Sequence, residues 1–208
     1  MDLQLLLDRV RRLLLLDEDV CHEIRAGSAE TLPALLVVVV ASYIAGFGGV
    51  LWILVAADNA DIGRFILRSF LLGGGIQAGV FLLWTSVTAL VLQRLFRVRV
   101  TFIELLRVMG YGFAPMALQI LLFIPALDQP IGIIALGVTF YVETYAIQTA
   151  TDASPAQAFS ASLFGFVCFC AILGILGNGA TDLAPGIFAL DPNSLSVGLT
   201  FPTGPVRR

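Results

Sequence analysis

Arg107-Val108-Met109-Gly110-Tyr111-Gly112-Phe113-Ala114-Pro115 opens a long apolar segment, yet it holds an arginine, two glycines and a proline. A helix facing lipid tolerates such residues only where neighbouring helices satisfy them. The stretch therefore reads as the central helix of a small bundle of membrane helices, with the other spans packed around it.

The rest of the chain agrees with that reading. Of 208 residues, 58% are hydrophobic and 13% charged, and the mean hydropathy is +0.93. These values lie far outside the soluble globular range. Apolar runs of about 20 residues recur, each long enough to cross a hydrocarbon core of roughly 30 Å. The expected class is an all-α polytopic integral membrane protein: a five-helix transmembrane bundle with an N-terminal amphipathic interfacial helix.

Residues 2–16 have a helical period. Leu3, Leu6, Leu7, Val10, Leu13 and Leu14 share one face, with Gln4, Asp8, Arg11 and Arg12 on the other. The run is too short and too charged to span, and fits a helix lying in the interface with its arginines towards anionic headgroups. A helix packed on a soluble partner is the alternative. Asp17 to Ala26 is polar and predicts a short helix. Three divisions follow: a cytoplasmic N-terminal segment over 1–30, a five-span membrane domain over 31–177, and an extracytoplasmic tail over 178–208.

The spans are expected at about 32–56, 69–93, 102–124, 130–150 and 157–177. The first carries Ala41, Ala45 and Gly49 with Ser42 and Gly46, and the second carries Gly75 and Gly79, small residues that let helix backbones approach. Gln77, Thr85, Ser86 and Thr88 are placed to hydrogen-bond across helices. Asp58 and Asp61 mark a short polar loop. Thr101-Phe102-Ile103-Glu104 reads as a capping box for the third span, which Pro115 should kink. Asp128 lies in a tight turn over 125–130. Ser154-Pro155 is a plausible start for the fifth span, and Asn178-Gly179 its end. In the tail, Leu195, Val197, Leu199 and Phe201 alternate with small or polar residues. That is strand periodicity, or else an apolar tail lying on the membrane.

All twelve basic residues are arginine. With the N-terminus in the cytoplasm, eight arginines fall inside and four outside, so N-in, C-out in the cytoplasmic (plasma) membrane is the expected topology. The net charge of −3 suggests no nucleic-acid partner. Cys21, Cys168 and Cys170 lack the spacing of a disulfide framework or a zinc site, His22 stands alone, and Gly73-Gly74-Gly75 has no following Lys or Ser/Thr as a phosphate loop would. No cofactor, no metal and no enzymatic activity are expected. Membrane lipids, other integral membrane proteins or further copies of the chain are the expected partners.

Two ionisable residues inside the spans are the candidates for chemistry. Glu143 lies about 10 Å from the cytoplasmic end of the fourth span, and Arg107 roughly 6–9 Å deep in the third. A lone charge near mid-helix costs on the order of 2.5–3.5 kcal/mol on insertion scales, so Glu143 needs a partner or a proton. The expectation is an Arg107–Glu143 pair, with Tyr111 or Gln77 as a further hydrogen-bond partner. Gly132, Ala135, Thr139, Glu143, Ala146 and Ala150 form a stripe that must face the bundle. The pair reads either as a proton or cation pathway or as a buried lock on helix register.

Five spans, a cytoplasmic N-terminus and Gly110-Tyr111-Gly112-Phe113-Ala114-Pro115 in the third span together resemble the Yip-type family, the Rab-GTPase-interacting membrane proteins and their prokaryotic relatives. Glu104-Leu105-Leu106-Arg107-Val108 resembles the prokaryotic branch. So do Leu15-Leu16-Asp17 through Glu23-Ile24 to Thr31-Leu32-Pro33-Ala34. The likeness covers roughly residues 8–177, with Gly110, Tyr111 and Pro115 as its motif. The Asp-Leu-Tyr-Gly-Pro signature of eukaryotic members is absent before the first span, which makes GTPase binding doubtful. The resemblance implies a non-enzymatic membrane protein, a scaffold or accessory subunit in membrane organisation or complex assembly. A small transporter or channel using Glu143 and Arg107 is the alternative.

Overall fold

The computed structural model describes residues 3–56, 62–124, 126–177 and 183–189. The polar loop with Asp58 and Asp61, the Asn178-Gly179 stop and the alternating stretch 195–201 lie outside the described residues.

Two short helices precede the spans: α1 (Leu3–Leu14) and α2 (Glu18–Ala26). The turn between them puts Leu16 at φ 60°. The Leu16 amide donates to the Leu13 carbonyl and the Asp17 amide to that of Arg12, at 2.9 and 3.1 Å. These are the two bonds of a Schellman stop, here built on leucine where glycine is usual. Asp17 then caps α2 by accepting from the Asp19 amide at 3.0 Å. The Arg12 guanidinium, donating to the same carboxylate at 2.8 Å, holds the Asp17 carboxyl below its ordinary range.

Five helical segments among the described residues are long and apolar enough to cross a membrane: Ser28–Val55, Ile66–Leu95, Phe102–Phe123, Asp128–Ala150 and Pro155–Gly177. The first is a 3₁₀ turn, Ser28–Glu30, running into α3 (Thr31–Ala56). The second follows a single turn, α4 (Ile62–Phe65), and has α5 (Gly73–Leu90) between wide π-helical ends at Ile66–Leu72 and Val91–Leu95. The third begins as α6 (Phe102–Gly112) with the expected capping box. The Thr101 side chain accepts from the Glu104 amide at 3.2 Å while Glu104 accepts from the Thr101 amide at 2.7 Å. The fourth is α7 (Asp128–Ala150) and the fifth α8 (Pro155–Gly177), with Ser154 and Gln157 capping each other.

Pro115 does more than kink its span. From Ala114 to Phe123 the chain winds as a ten-residue 3₁₀ helix with Pro115 buried near its start. Runs beyond three or four residues of this kind are uncommon, so tertiary packing must hold it. The packing is dense: α3 lies along one side and α7 along another, and Gly48 sits directly against the backbone of Gln119 and Ile120. The α6 half touches α1, α2, α3, α5 and α7. Within its most apolar window the third span is 67% buried, against 28% for the fifth. It is the axis of the bundle, as its composition required.

The small residues of α3 behave as expected: Ala41, Ser42, Ala45, Gly46 and Gly49 are all buried. The second span differs. Gly75 and Gly79 are exposed, and Gly73 and Gly74 take the close contacts instead, against the 184–185 backbone and the Tyr43 ring. The reason is the helical period: Gly73 and Gly74 share the buried face of α5 with Gln77, Phe81 and Trp84, and Gly75 and Gly79 fall on the opposite face. Of the polar residues there, Thr88 reaches the Ala161 carbonyl at 3.5 Å, while Thr85 and Ser86 bond back to their own helix. An aromatic cluster fills the middle, with Phe113 at 4.8 Å from Phe81 and 6.0 Å from Phe169, centroid to centroid, and Trp84 at 5.2 Å from Phe169.

Candidate functional site

The polar residues of the bundle fall in two layers, and the family of contacts around the third span separates them. In the outer layer, α6 starts beside the C-terminus of α2, the start of α3 and the C-terminus of α7. Arg107 Nε donates to Thr31 Oγ1 at 2.8 Å and its Nη1 to the Arg25 carbonyl at 2.9 Å. Arg25 in turn donates to the Ala150 carbonyl at the end of α7, and its Nε lies 3.6 Å from the Glu104 carboxylate. A cation at a helix C-terminus meets carbonyls that have no partner within the helix. Two arginines thus tie three helix ends together.

One turn further along α6, Tyr111 donates to Glu30 Oε2 at 2.7 Å. Glu30 also pairs with Arg9 of α1. Glu30 and Tyr111 are both buried. This carboxylate links α1, the start of the first span and the third span. Nothing in the sequence singled it out, because Glu30 sits three residues before Pro33 in what reads as a polar approach to a membrane helix. Its one advance signal was its place at the end of the polar segment, close to the interface, on the side where α1 had to return.

The deeper layer is different. Glu143 is wholly buried and neither carboxylate oxygen has a hydrogen-bond partner among the described residues. The stripe from Gly132 through Thr139 to Ala150 does face the bundle, but the expected Arg107–Glu143 pair is not formed. Depth explains this. Glu143 packs its Cγ against Gly112, where a Cβ would lie 3.0 Å from it. Arg107 comes five residues earlier on α6, ~7.5 Å nearer the interface at helical rise, and its guanidinium turns outward to Thr31 and Arg25. Tyr111 is committed to Glu30. Gln77 is buried and neither of its amide atoms has a partner among the described residues, so it supports neither residue. Ser42, Thr144 and Ser162 also hold buried hydroxyls without partners among the described residues.

Gly110 and Pro115 complete the motif. At Gly110 a Cβ would stand 2.9 Å from both the Cβ and the carbonyl oxygen of Ala34, so glycine is what lets α6 and α3 touch backbone to backbone. Each position of 110–115 is thereby accounted for: Gly110 against α3, Tyr111 on Glu30, Gly112 against Glu143, Phe113 in the aromatic cluster, Ala114 and Pro115 at the change to 3₁₀ winding.

No curated protein and no solved structure matches the chain. The family model of the Yip1 domain matches residues 18–176, from the first residue of α2 to the last turn of α8, and takes in Gly110-Tyr111-Gly112 with Arg25, Glu30, Arg107 and Glu143, while Arg9 of α1 lies before it. The chain belongs to the Yip1 domain family of membrane proteins.

Proposed function

We propose that this chain is a non-enzymatic scaffold or accessory subunit of the cytoplasmic membrane, acting in membrane organisation or in the assembly of a larger membrane complex. The observation that carries this reading is the use made of the family motif. Gly110, Tyr111 and Gly112 hold helices together, Pro115 is buried at the start of the 3₁₀ segment, and Arg107 is committed to a hydroxyl and a backbone carbonyl. A motif devoted to packing suits a protein that works through its outer surfaces. Those surfaces are the exposed leucines of α1 and the sparsely covered faces of α8. The N-terminal segment 1–30 lies on the cytoplasmic side in this reading, and the tail 178–208 on the opposite one. Gentle extraction from native membranes, native gel separation and mass spectrometry of the band test it: comigration with a fixed set of membrane proteins is expected, and migration alone overturns it.

Glu143 favours a second reading, a small transporter. An intramembrane carboxylate with no partner among the described residues is a functional candidate by default. This reading rests on Glu143 without Arg107. It requires solute or proton flux in proteoliposomes that falls in Glu143→Gln, and flux indifferent to that change removes it.

A further inference from the structure

Two apolar cavities join beneath α1. One, of about 340 Å³, lies between α1 and α3; the other, of about 470 Å³, continues along the 3₁₀ segment towards α7. Leu14, Ala114 and Ala117 line both, so they form one groove. On α3 its wall runs from Leu36 to Ile44, ~12 Å at helical rise, and on the third span from Ala114 to Leu121, ~14 Å at 3₁₀ rise. Its shape is long and narrow, and every residue lining it is apolar or alanine and proline.

Several residues of the rim, Leu7, Leu14, Leu36 and Val40, are exposed. In a membrane-spanning bundle such exposure means hydrocarbon. Water gains nothing in a groove that offers no hydrogen-bond partner. An extended peptide, including this chain's own tail, would carry unpaired amides and carbonyls into it. A linear alkyl chain meets neither objection.

Charge identifies the rest of the ligand. Arg11 belongs to the polar face of α1 but lies at its border: it follows Leu7 by four residues and precedes Leu14 by three, so it stands beside those two rim leucines. It is exposed and makes no ion pair among the described residues. Its neighbours Arg9 and Arg12 are already paired, with Glu30 and with Asp17 and Glu23.

We propose that the groove under α1 is a lipid site: one acyl chain of an anionic phospholipid lies along the third span, and the headgroup phosphate of the same molecule rests on Arg11. The helix α1 is then the roof of the site as well as an interfacial anchor.

The test is native mass spectrometry of the full chain after equilibration with vesicles of phosphatidylglycerol and, separately, of phosphatidylcholine. One retained phosphatidylglycerol per chain is expected, at about tenfold the occupancy of phosphatidylcholine. Ala117→Phe, which fills the junction of the two cavities, is expected to lower retention at least tenfold. Val40→Phe fills the groove from a rim position that is 46% exposed, and gives the same reading where Ala117→Phe does not fold. Arg11→Gln is expected to abolish the preference between the two lipids. Absence of retained lipid overturns the proposal. So does retention unchanged by the filling substitutions, as it would be if a second copy or the tail occupied the groove. A preference that survives Arg11→Gln overturns the assignment of the phosphate.

Discussion

The two polar layers of this bundle follow opposite rules. Near the ends of the helices, Arg107, Arg25, Glu30 and Tyr111 each hold a partner from a different helix. Deeper, Glu143, Gln77, Ser42 and Ser162 carry buried polar atoms that have none among the described residues. The outer layer is therefore glue, and its loss should cost stability. The inner layer contributes no such bonds, and each unsatisfied buried group costs stability as it stands. Stability alone does not account for the inner polar residues, which is why they are the place to look for activity.

The sharpest way to break the contrast is Glu30→Ala. It leaves Arg9 facing the space its carboxylate filled and deprives the Tyr111 hydroxyl of its acceptor. Losing one member of a mostly buried ion pair costs about 3 kcal/mol, so a large fall in the thermal midpoint of the detergent-solubilised protein is expected. Gly110→Ala attacks the same layer sterically, with backbone rather than a flexible side chain in the way. Overpacking of this kind costs ~2 kcal/mol, and Gly79→Ala, which meets nothing within 4 Å, is the matched control with no loss.

The inner layer should respond with the opposite sign. Glu143→Met replaces an unpartnered carboxyl by an apolar group of similar size, and stability is expected to rise by about 1 kcal/mol or to stay level. A fall as large as that of Glu30→Ala would show that Glu143 is glue after all. Smaller effects belong to the turn before the spans. Leu16→Gly relieves a left-handed leucine and should stabilise by at most ~1 kcal/mol, read in the same melt.

The last test is acidic. The Asp17 carboxyl is held below its usual value of 3.8 by Arg12, so its contribution is complete above that value and is lost as pH falls through the lowered one. Circular dichroism between pH 5 and 2 should show a small loss of helix that Asp17→Asn abolishes.

The five spans were legible because each is written in long apolar runs, and two of their starts because Thr101-Glu104 and Ser154-Pro155 are local signals read within a single turn. The stripe on α7 was legible by period alone. What escaped was anything set by winding or depth. The four-residue spacing of Gly75 and Gly79 did not say which face of the second span is buried, and the close contacts fall to Gly73 and Gly74. A depth estimate from helical rise brought Arg107 and Glu143 to similar levels, but Glu143 lies level with Gly112, five residues deeper on α6, and the arginine turns outward. Glu30 was invisible because its partners, Arg9 and Tyr111, come from helices 21 residues before it and 81 after it.

The ten-residue 3₁₀ segment of the third span has a consequence for the bilayer itself. At roughly 2.0 Å per residue it extends ~20 Å, whereas the same residues wound as an α-helix would extend ~15 Å. The observed winding thus makes the span about 5 Å longer than an α-helix of the same residues would be. Mismatch costs fractions of a kcal/mol per ångström, so those ~5 Å bear on the membrane thickness that suits the bundle. Since α3 and α7 grip this segment on both sides, the longer winding is built into the packing, and the axis of the protein reaches further across the bilayer than its residue count implies.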